Sequence, residues 1–162
     1  AALAMRSVPQ LNARYSGDEV VSIPDVNIGI AVGLDGSVVV PVVKQCDTKP
    51  LQGIVGEMAE LAARAHAGAL LADDVRDSTF TVSNLGMYGV DSFTAMLNAP
   101  DAAILACGSV HEQPVVRDGS LVVGTVMSVT LTVDHRVADG VAAAKWLAAF
   151  AESLENPVSL IV

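Results

Sequence analysis

Two aspartate-glycine pairs, Asp35-Gly36 and Asp118-Gly119, each stand between runs of β-branched residues. Such a pair supplies the positive φ angles of a two-residue hairpin turn, so it brings its flanking runs together as antiparallel strands. "NIGIAV" and "SVVVPVV" flank the first pair, and "PVV" and "LVVGTV" flank the second within Arg117-Asp118-Gly119-Ser120. "TFTVS", "AAILACG" and "VMSVTLTV" read as further strands. In the last, Val129, Leu131 and Val133 alternate with Ser128, Thr130 and Thr132. That period of two predicts a strand with one face on the core and the other less buried.

Helical spacing interrupts the strands. Leu51, Ile54, Val55, Met58, Leu61 and Ala65 recur at intervals of three and four, a stripe predicted to pack on the sheet. Thr48 and Pro50 suit its start and Gly68 its end. A second helix is expected from about Gly140 to Leu154, burying Trp146, Leu147, Phe150, Ala151 and Leu154, with Asn156-Pro157 stopping it. "AALAMRSVP" reads as a helix at the start, and "DSFTAMLN" as a short one closed by Asn98-Ala99-Pro100. Strands, hairpins and helices in this order predict an α/β fold, a two-layer sandwich with a mixed sheet and helices on one side. The 162 residues suit a single domain, 1–162, without repeat or linker. The closing Ser159-Leu160-Ile161-Val162 is apolar, which predicts that something covers it, either a partner subunit or the chain's own core.

A formal net charge of −9 disfavours nucleic acid and anionic membranes as partners. No apolar run reaches the roughly 18 residues of a membrane span, and the opening lacks the basic region of a signal peptide. Cys46 and Cys107 are far apart and form no CxxC pair, so both are expected as small core residues in a reducing, cytoplasmic setting.

Candidate chemistry centres on "TVDHRVADG", Thr132 to Gly140. His135 follows the alternating strand directly and a helix opens shortly after it. Side chains at such a junction can project into a cleft. Two structural readings stand beside catalysis: His135 paired with Asp134 or Asp139, and Asp139 as the N-cap of the second helix. His66, late in the first helix, reads as a surface residue, and His111 in "SVHEQP" as a solvated loop residue. "SNLGMYG" breaks a strand with two glycines and places Ser83 and Asn84 at a sharp turn. There is no GxSxG elbow, phosphate loop or HExxH, and too few clustered ligands for a metal site.

Taken together, "SNLGMYGVDSF", "NAPDAAILACG" and "LTVDHRVADG" resemble the catalytic domain of dihydrolipoyl acyltransferases, the core components of 2-oxo acid dehydrogenase complexes. "SVPQLNARY", "NIGIAV" and "LENPVSLIV" fit the same pattern, so the resemblance covers nearly the whole chain. It implies a chloramphenicol-acetyltransferase-like fold and homotrimers that assemble into cubic or icosahedral cores. It also implies dehydrogenase and dihydrolipoamide dehydrogenase components as partners. Coenzyme A enters as a substrate, and the lipoyl group belongs to a domain outside these residues. No coenzyme A contact is assigned to any residue. The family's catalytic histidine falls on His135, its HxxxDG acid on Asp139, and its intermediate-binding serine on Ser83, with the site between subunits. In cells the implied setting is the cytoplasm, or the mitochondrial matrix of a eukaryote.

The resemblance also implies a longer domain, of which this chain lacks the N-terminal portion, and lipoyl and subunit-binding domains elsewhere. "RDSTF" stands where the family commonly has a glycine pair before the threonine, which alters a turn with little expected effect on chemistry. Two rival readings remain: a core component without catalysis, and a stand-alone coenzyme A-dependent acetyltransferase of the chloramphenicol type. The "SNLGM" and "NAP" stretches disfavour the second.

Overall fold

A computed structural model describes the backbone of residues 1–160 and the side chains of 1–158. The expectation that residues 159–162 are covered falls on side chains outside the described residues. In chain order the elements are α1 (Ala2–Ser7), β1 (Ala13–Ser16), β2 (Glu19–Ser22), β3 (Ile28–Ile30), β4 (Val32–Leu34), β5 (Ser37–Val39) and β6 (Val42–Val43). Then follow α2 (Leu51–His66), β7 (Phe80–Asn84), β8 (Ala103–Arg117), β9 (Ser120–Val133) and α3 (Gly140–Glu155).

Five strands form the main sheet in the order β6-β3-β7-β8-β9. The β3–β7 and β7–β8 pairs are parallel, and the two outer pairs antiparallel, so the sheet is mixed as expected. Both Asp-Gly turns form. Leu34 pairs with Ser37 across the first, and Arg117 with Ser120 across the second, where Asp118 and Gly119 have φ of 50° and 76°.

Alternation sorts the central strands into two faces. Phe80, Ala103, Leu105 and Cys107 belong to the core, with Val82, Val129, Leu131 and Val133 packed against it. Trp146 of α3 is fully buried there, its ring centroid 4.9 Å from Phe80 and 5.3 Å from Phe150. Met5 of α1 and Leu61 of α2 join the same cluster, so the helices share one face. The opposite face carries Thr81, Ser83, Ala106, Thr130 and Thr132 by the same alternation. There the buried Asp101 accepts hydrogen bonds from Ser78 Oγ (2.6 Å) and Thr81 Oγ1 (2.7 Å), and burial pushes its carboxyl pKa up.

Four expectations need correction. "DSFTAMLN" forms no helix; its chain is held to the sheet instead, with Thr132 Oγ1 donating to the Ala95 carbonyl (2.9 Å) and Asn98 Nδ2 to Thr81 Oγ1 (3.1 Å). Eight residues form too few internal bonds to hold a helix against such contacts. His111 lies within β8, paired with Val126, not in a loop. The stripe of α2 buries only Leu61 and Ala65, while Leu51, Val55 and Met58 are exposed. Helical periodicity identifies the apolar face but not what covers it. On α3, Ala151 and Leu154 are exposed as well. No helix among the described residues is long and apolar enough to cross a membrane.

Candidate active site

The end of β9 turns sharply to bring His135 to the surface. Asp134 N–H still donates to the Ala102 carbonyl (2.8 Å), the last tie to the sheet. The Asp134 carbonyl then accepts from both Val137 N–H (2.9 Å) and Ala138 N–H (3.1 Å), closing a turn over His135 and Arg136. Ala138 is buried, and α3 starts two residues later.

Within this turn the charged neighbours of His135 engage each other. Asp134 Oδ1 accepts from Arg136 N–H (3.0 Å) and Nε (2.9 Å), and Oδ2 accepts from Nη2 (2.6 Å). The Arg136 guanidinium also lies 4.3 Å from the centre of the Tyr15 ring, within cation–π range. Neither Asp134 nor Asp139 pairs with His135, so that structural reading does not hold. Among the described residues the imidazole has no hydrogen bond or ion pair. It lines an open cleft of about 200 Å³ with Gln10, Arg136, Val137, Ala138 and Asp139.

The side-chain hydrogen bonds from Arg136 hold the Asp134 carboxyl down at about 2. A carboxylate with a depressed folded pKa stabilises the fold above its ordinary titration near 4, and that stabilisation disappears as pH falls through the folded value. We therefore expect the melting-temperature advantage of wild type over Asp134→Asn to be constant above about pH 4 and to shrink from there toward about pH 2. An advantage unchanged down to pH 2 would show that the pair carries no charge-dependent stability.

Asp139 takes the capping role. Its Oδ1 accepts from Ala142 N–H at 2.8 Å, satisfying one of the free donors of the first turn of α3. Arg136 engages Asp134 and not Asp139, so Asp139 acts on the His135 turn through the helix start alone. Asp139→Ala should cost about 1 kcal/mol and lower Tm by roughly 2–4 °C, whereas Asp139→Asn should retain the cap. Equal melting temperatures for wild type and Asp139→Ala would contradict the capping role.

Ser83 occupies the penultimate position of β7, opposite Ala106 of β8, on the face away from the helices. The strand ends at Asn84, whose Oδ1 accepts from Gly86 N–H (2.8 Å), and a 3₁₀ turn, Gly86–Tyr88, closes on Gly89 at φ 74°. Ser83 is partly exposed, and its hydroxyl has no hydrogen-bond partner among the described residues.

The sheet register keeps Ser83 and His135 of one chain apart. Ser83 pairs with Ala106, which pairs with Thr130, two strands away and five residues before His135. At about 3.3 Å per residue and about 4.8 Å between strands, the separation is on the order of 20 Å. His66 is exposed at the end of α2, and His111 lies 3.9 Å from Asp91. Asp134–Arg136 is the arrangement that sequence reasoning missed, although an acid and a base two residues apart in "DHR" were its signal. Among the described residues no group of three or more His, Cys, Asp or Glu is placed to hold a metal.

Comparison with known proteins adds to this geometry. The chain matches the 2-oxoacid dehydrogenases acyltransferase (catalytic domain) family over residues 1–162. It is 38% identical over 160 residues to the dihydrolipoyllysine-residue acetyltransferase component of the pyruvate dehydrogenase complex of Zymomonas mobilis, covering 99% of this chain and 36% of that protein. The chain thus spans about a third of the length of such relatives. A crystallographic and enzymatic study of Azotobacter vinelandii dihydrolipoamide acetyltransferase concerned a serine, a histidine and an asparagine in its catalytic mechanism. That structure superposes with a TM-score of 0.93 at 32% identity, covering 99% of this chain and 67% of that one. The histidine there follows the serine by 52 residues and precedes the asparagine by four, the spacing of Ser83, His135 and Asp139. The cubic core of a pyruvate dehydrogenase multienzyme complex superposes with a TM-score of 0.92 at 32% identity, covering 99% and 69%. Chloramphenicol acetyltransferase shares the fold, with a TM-score of 0.57 at 16% identity over 91% of this chain and 71% of that one.

Proposed function

The chain belongs to the 2-oxoacid dehydrogenase acyltransferase family, and on that premise we propose that it moves an acyl group between the thiols of dihydrolipoamide and coenzyme A. Acetyl is the leading acyl group and branched-chain acyl the second. The observation that carries this reading is the pair of unengaged side chains, His135 in its open cleft and Ser83 at its strand end, at the spacing of the Azotobacter residues.

The chemistry asks for these residue types. A free thiol has a pKa of about 8.5, so little thiolate exists at neutral pH. His135 takes the proton from the coenzyme A sulfur as that sulfur attacks the thioester carbonyl carbon. The carbonyl oxygen becomes an oxyanion, to which the Ser83 hydroxyl donates a hydrogen bond. Collapse of the tetrahedral intermediate reforms the carbonyl and breaks the bond to the dihydrolipoamide sulfur. That sulfur takes the proton back from His135, so one imidazole serves both half-steps. The Asp134–Arg136 pair and the Asp139 cap hold the His135 turn in place.

Ser83 and His135 are too far apart in one chain to act together, so His135 of one subunit must face Ser83 of the next. A trimer provides such repeated head-to-tail contacts. Exposed apolar side chains are consistent with assembly: Leu51, Val55 and Met58 on α2, Met87 and Tyr88 beside Ser83, and Val116, Leu121 and Val123 on the β8–β9 ribbon. The trimer builds a larger cubic or icosahedral core, which the dehydrogenase and dihydrolipoamide dehydrogenase components join. The lipoyl group is presented by a domain outside these residues. The cytoplasm, or the matrix of a mitochondrion, is the matching location.

The test is an assay of acetyl transfer from acetyl-coenzyme A to dihydrolipoamide, run beside an amphenicol acceptor. Transfer to the dithiol alone is the expected result. Transfer to the amphenicol alone would assign the chain to stand-alone acetyltransferases, and transfer to neither would leave a structural core component.

A further inference from the structure

Gly108 lies where β8 departs from regular pairing, in the irregular stretch between Cys107 and Val110. The chain that leaves Ser83 folds back onto this stretch from both sides. Leu85 N–H donates to the Cys107 carbonyl (3.1 Å), and Ser109 N–H donates to the Val90 carbonyl (2.8 Å). A Cβ on Gly108 would lie 1.9 Å from the Asp91 carbonyl oxygen and 3.2 Å from that of Ser128. A Cβ on Gly86 would in turn lie 2.7 Å from the Gly108 carbonyl oxygen. These are backbone atoms, which cannot swing aside as a side-chain end can. Gly108 does not have a positive φ, so what it supplies is space and not a special backbone conformation. Outside the backbone, Ser109 Oγ donates to Asp91 Oδ1 at 2.8 Å and pins the returning arm to the same strand.

We propose that Gly108 is a positioning residue for the Ser83 hydroxyl: its missing side chain lets the 84–91 turn seat directly on β8 and fixes the strand end that carries Ser83. The inference rests on the reading of Ser83 as the oxyanion donor. Any side chain at 108 must push the Asp91 carbonyl outward by more than 1 Å to restore ordinary contact, and the turn moves with it. Displacements of that size in a positioned group cost up to about 100-fold in rate. The Ser83 hydroxyl is used only near the transition state, so the loss falls on kcat.

The test compares Gly108→Ala, Ser83→Ala and the double variant in the full-length protein, by kcat, KM and melting temperature. Gly108→Ala is expected to lower kcat about 10- to 100-fold with KM within about threefold. In the Ser83→Ala background it should lower kcat by less than about twofold, because a misplaced hydroxyl cannot matter once it is gone. A general loss of folded enzyme would instead reduce kcat by the same factor in both backgrounds, and that result overturns the proposal. So does a Gly108→Ala enzyme with wild-type kcat. If Ser83→Ala itself leaves kcat unchanged, the oxyanion reading fails first and is identified as the cause. Should Gly108→Ala not fold, Ser109→Ala, which removes only the pin, carries the same comparison. An approximately 3- to 10-fold kcat loss that vanishes in the Ser83→Ala background supports the proposal, and equal losses in both backgrounds overturn it.

Discussion

Replacing His135 by alanine is expected to lower acyl transfer about 100- to 10,000-fold, the usual contribution of a positioned general base, and to leave the melting temperature at its wild-type value. The first half follows from the chemistry: without the imidazole, the attacking thiol must lose its proton to solvent and the leaving sulfur must find one there. The second half follows from the structure. His135 is exposed, has no hydrogen bond or ion pair among the described residues, and sits in a turn held by Asp134, Arg136 and the Asp139 cap. Surface substitutions away from such ties change stability by no more than about 0.5 kcal/mol. Steady-state rates with acetyl-coenzyme A and dihydrolipoamide, alongside a melting curve, provide the measurement. A variant keeping more than about a tenth of the wild-type rate would have lost less than about 1.4 kcal/mol of transition-state stabilisation. His135 would then not be the base.

Ser83→Ala should lower kcat about 100- to 1000-fold, as removal of a fixed oxyanion donor does elsewhere, with KM changed much less. The asymmetry arises because the negative oxygen exists only near the transition state, whereas the ground-state thioester carbonyl asks little of the hydroxyl. The Ser83 hydroxyl suits this task because it has no hydrogen bond within its own chain among the described residues, while the strand beneath it is anchored by Thr81 and Asp101. A KM increase with unchanged kcat would place Ser83 in ground-state binding.

Local chemistry made much of the fold legible. Both Asp-Gly turns close the hairpins expected of them, with the positive φ taken by Gly36 in the first and by Asp118 and Gly119 in the second. The alternation of Val129, Leu131 and Val133 with Thr130 and Thr132 correctly separates the core face from the polar one. Asp139 caps α3 for the same local reason. Residues 91–98 were not legible, since their conformation depends on Thr81 and Thr132, side chains from strands far away in sequence. The pairing of Asp134 with Arg136 was available in "DHR", but proximity in sequence did not say which of Asp134 and Asp139 would engage a neighbour. The relation of Ser83 to His135 was least accessible. It came from family resemblance, and sheet register adds only that one chain cannot join the two.

That separation makes subunit mixing the most direct measurement of a shared site. His135→Ala chains keep Ser83, and Ser83→Ala chains keep His135. If each site takes its histidine from one chain and its serine from the next, equal random mixing makes about one contact in four fully wild-type. Unfolding the two variants together, reassembling them and assaying the mixture should therefore restore about a quarter of the wild-type rate, far above either variant alone. If both residues acted within a single chain, no chain in the mixture would be complete. A mixture no more active than its parents, with assembled particles present, would contradict the shared site.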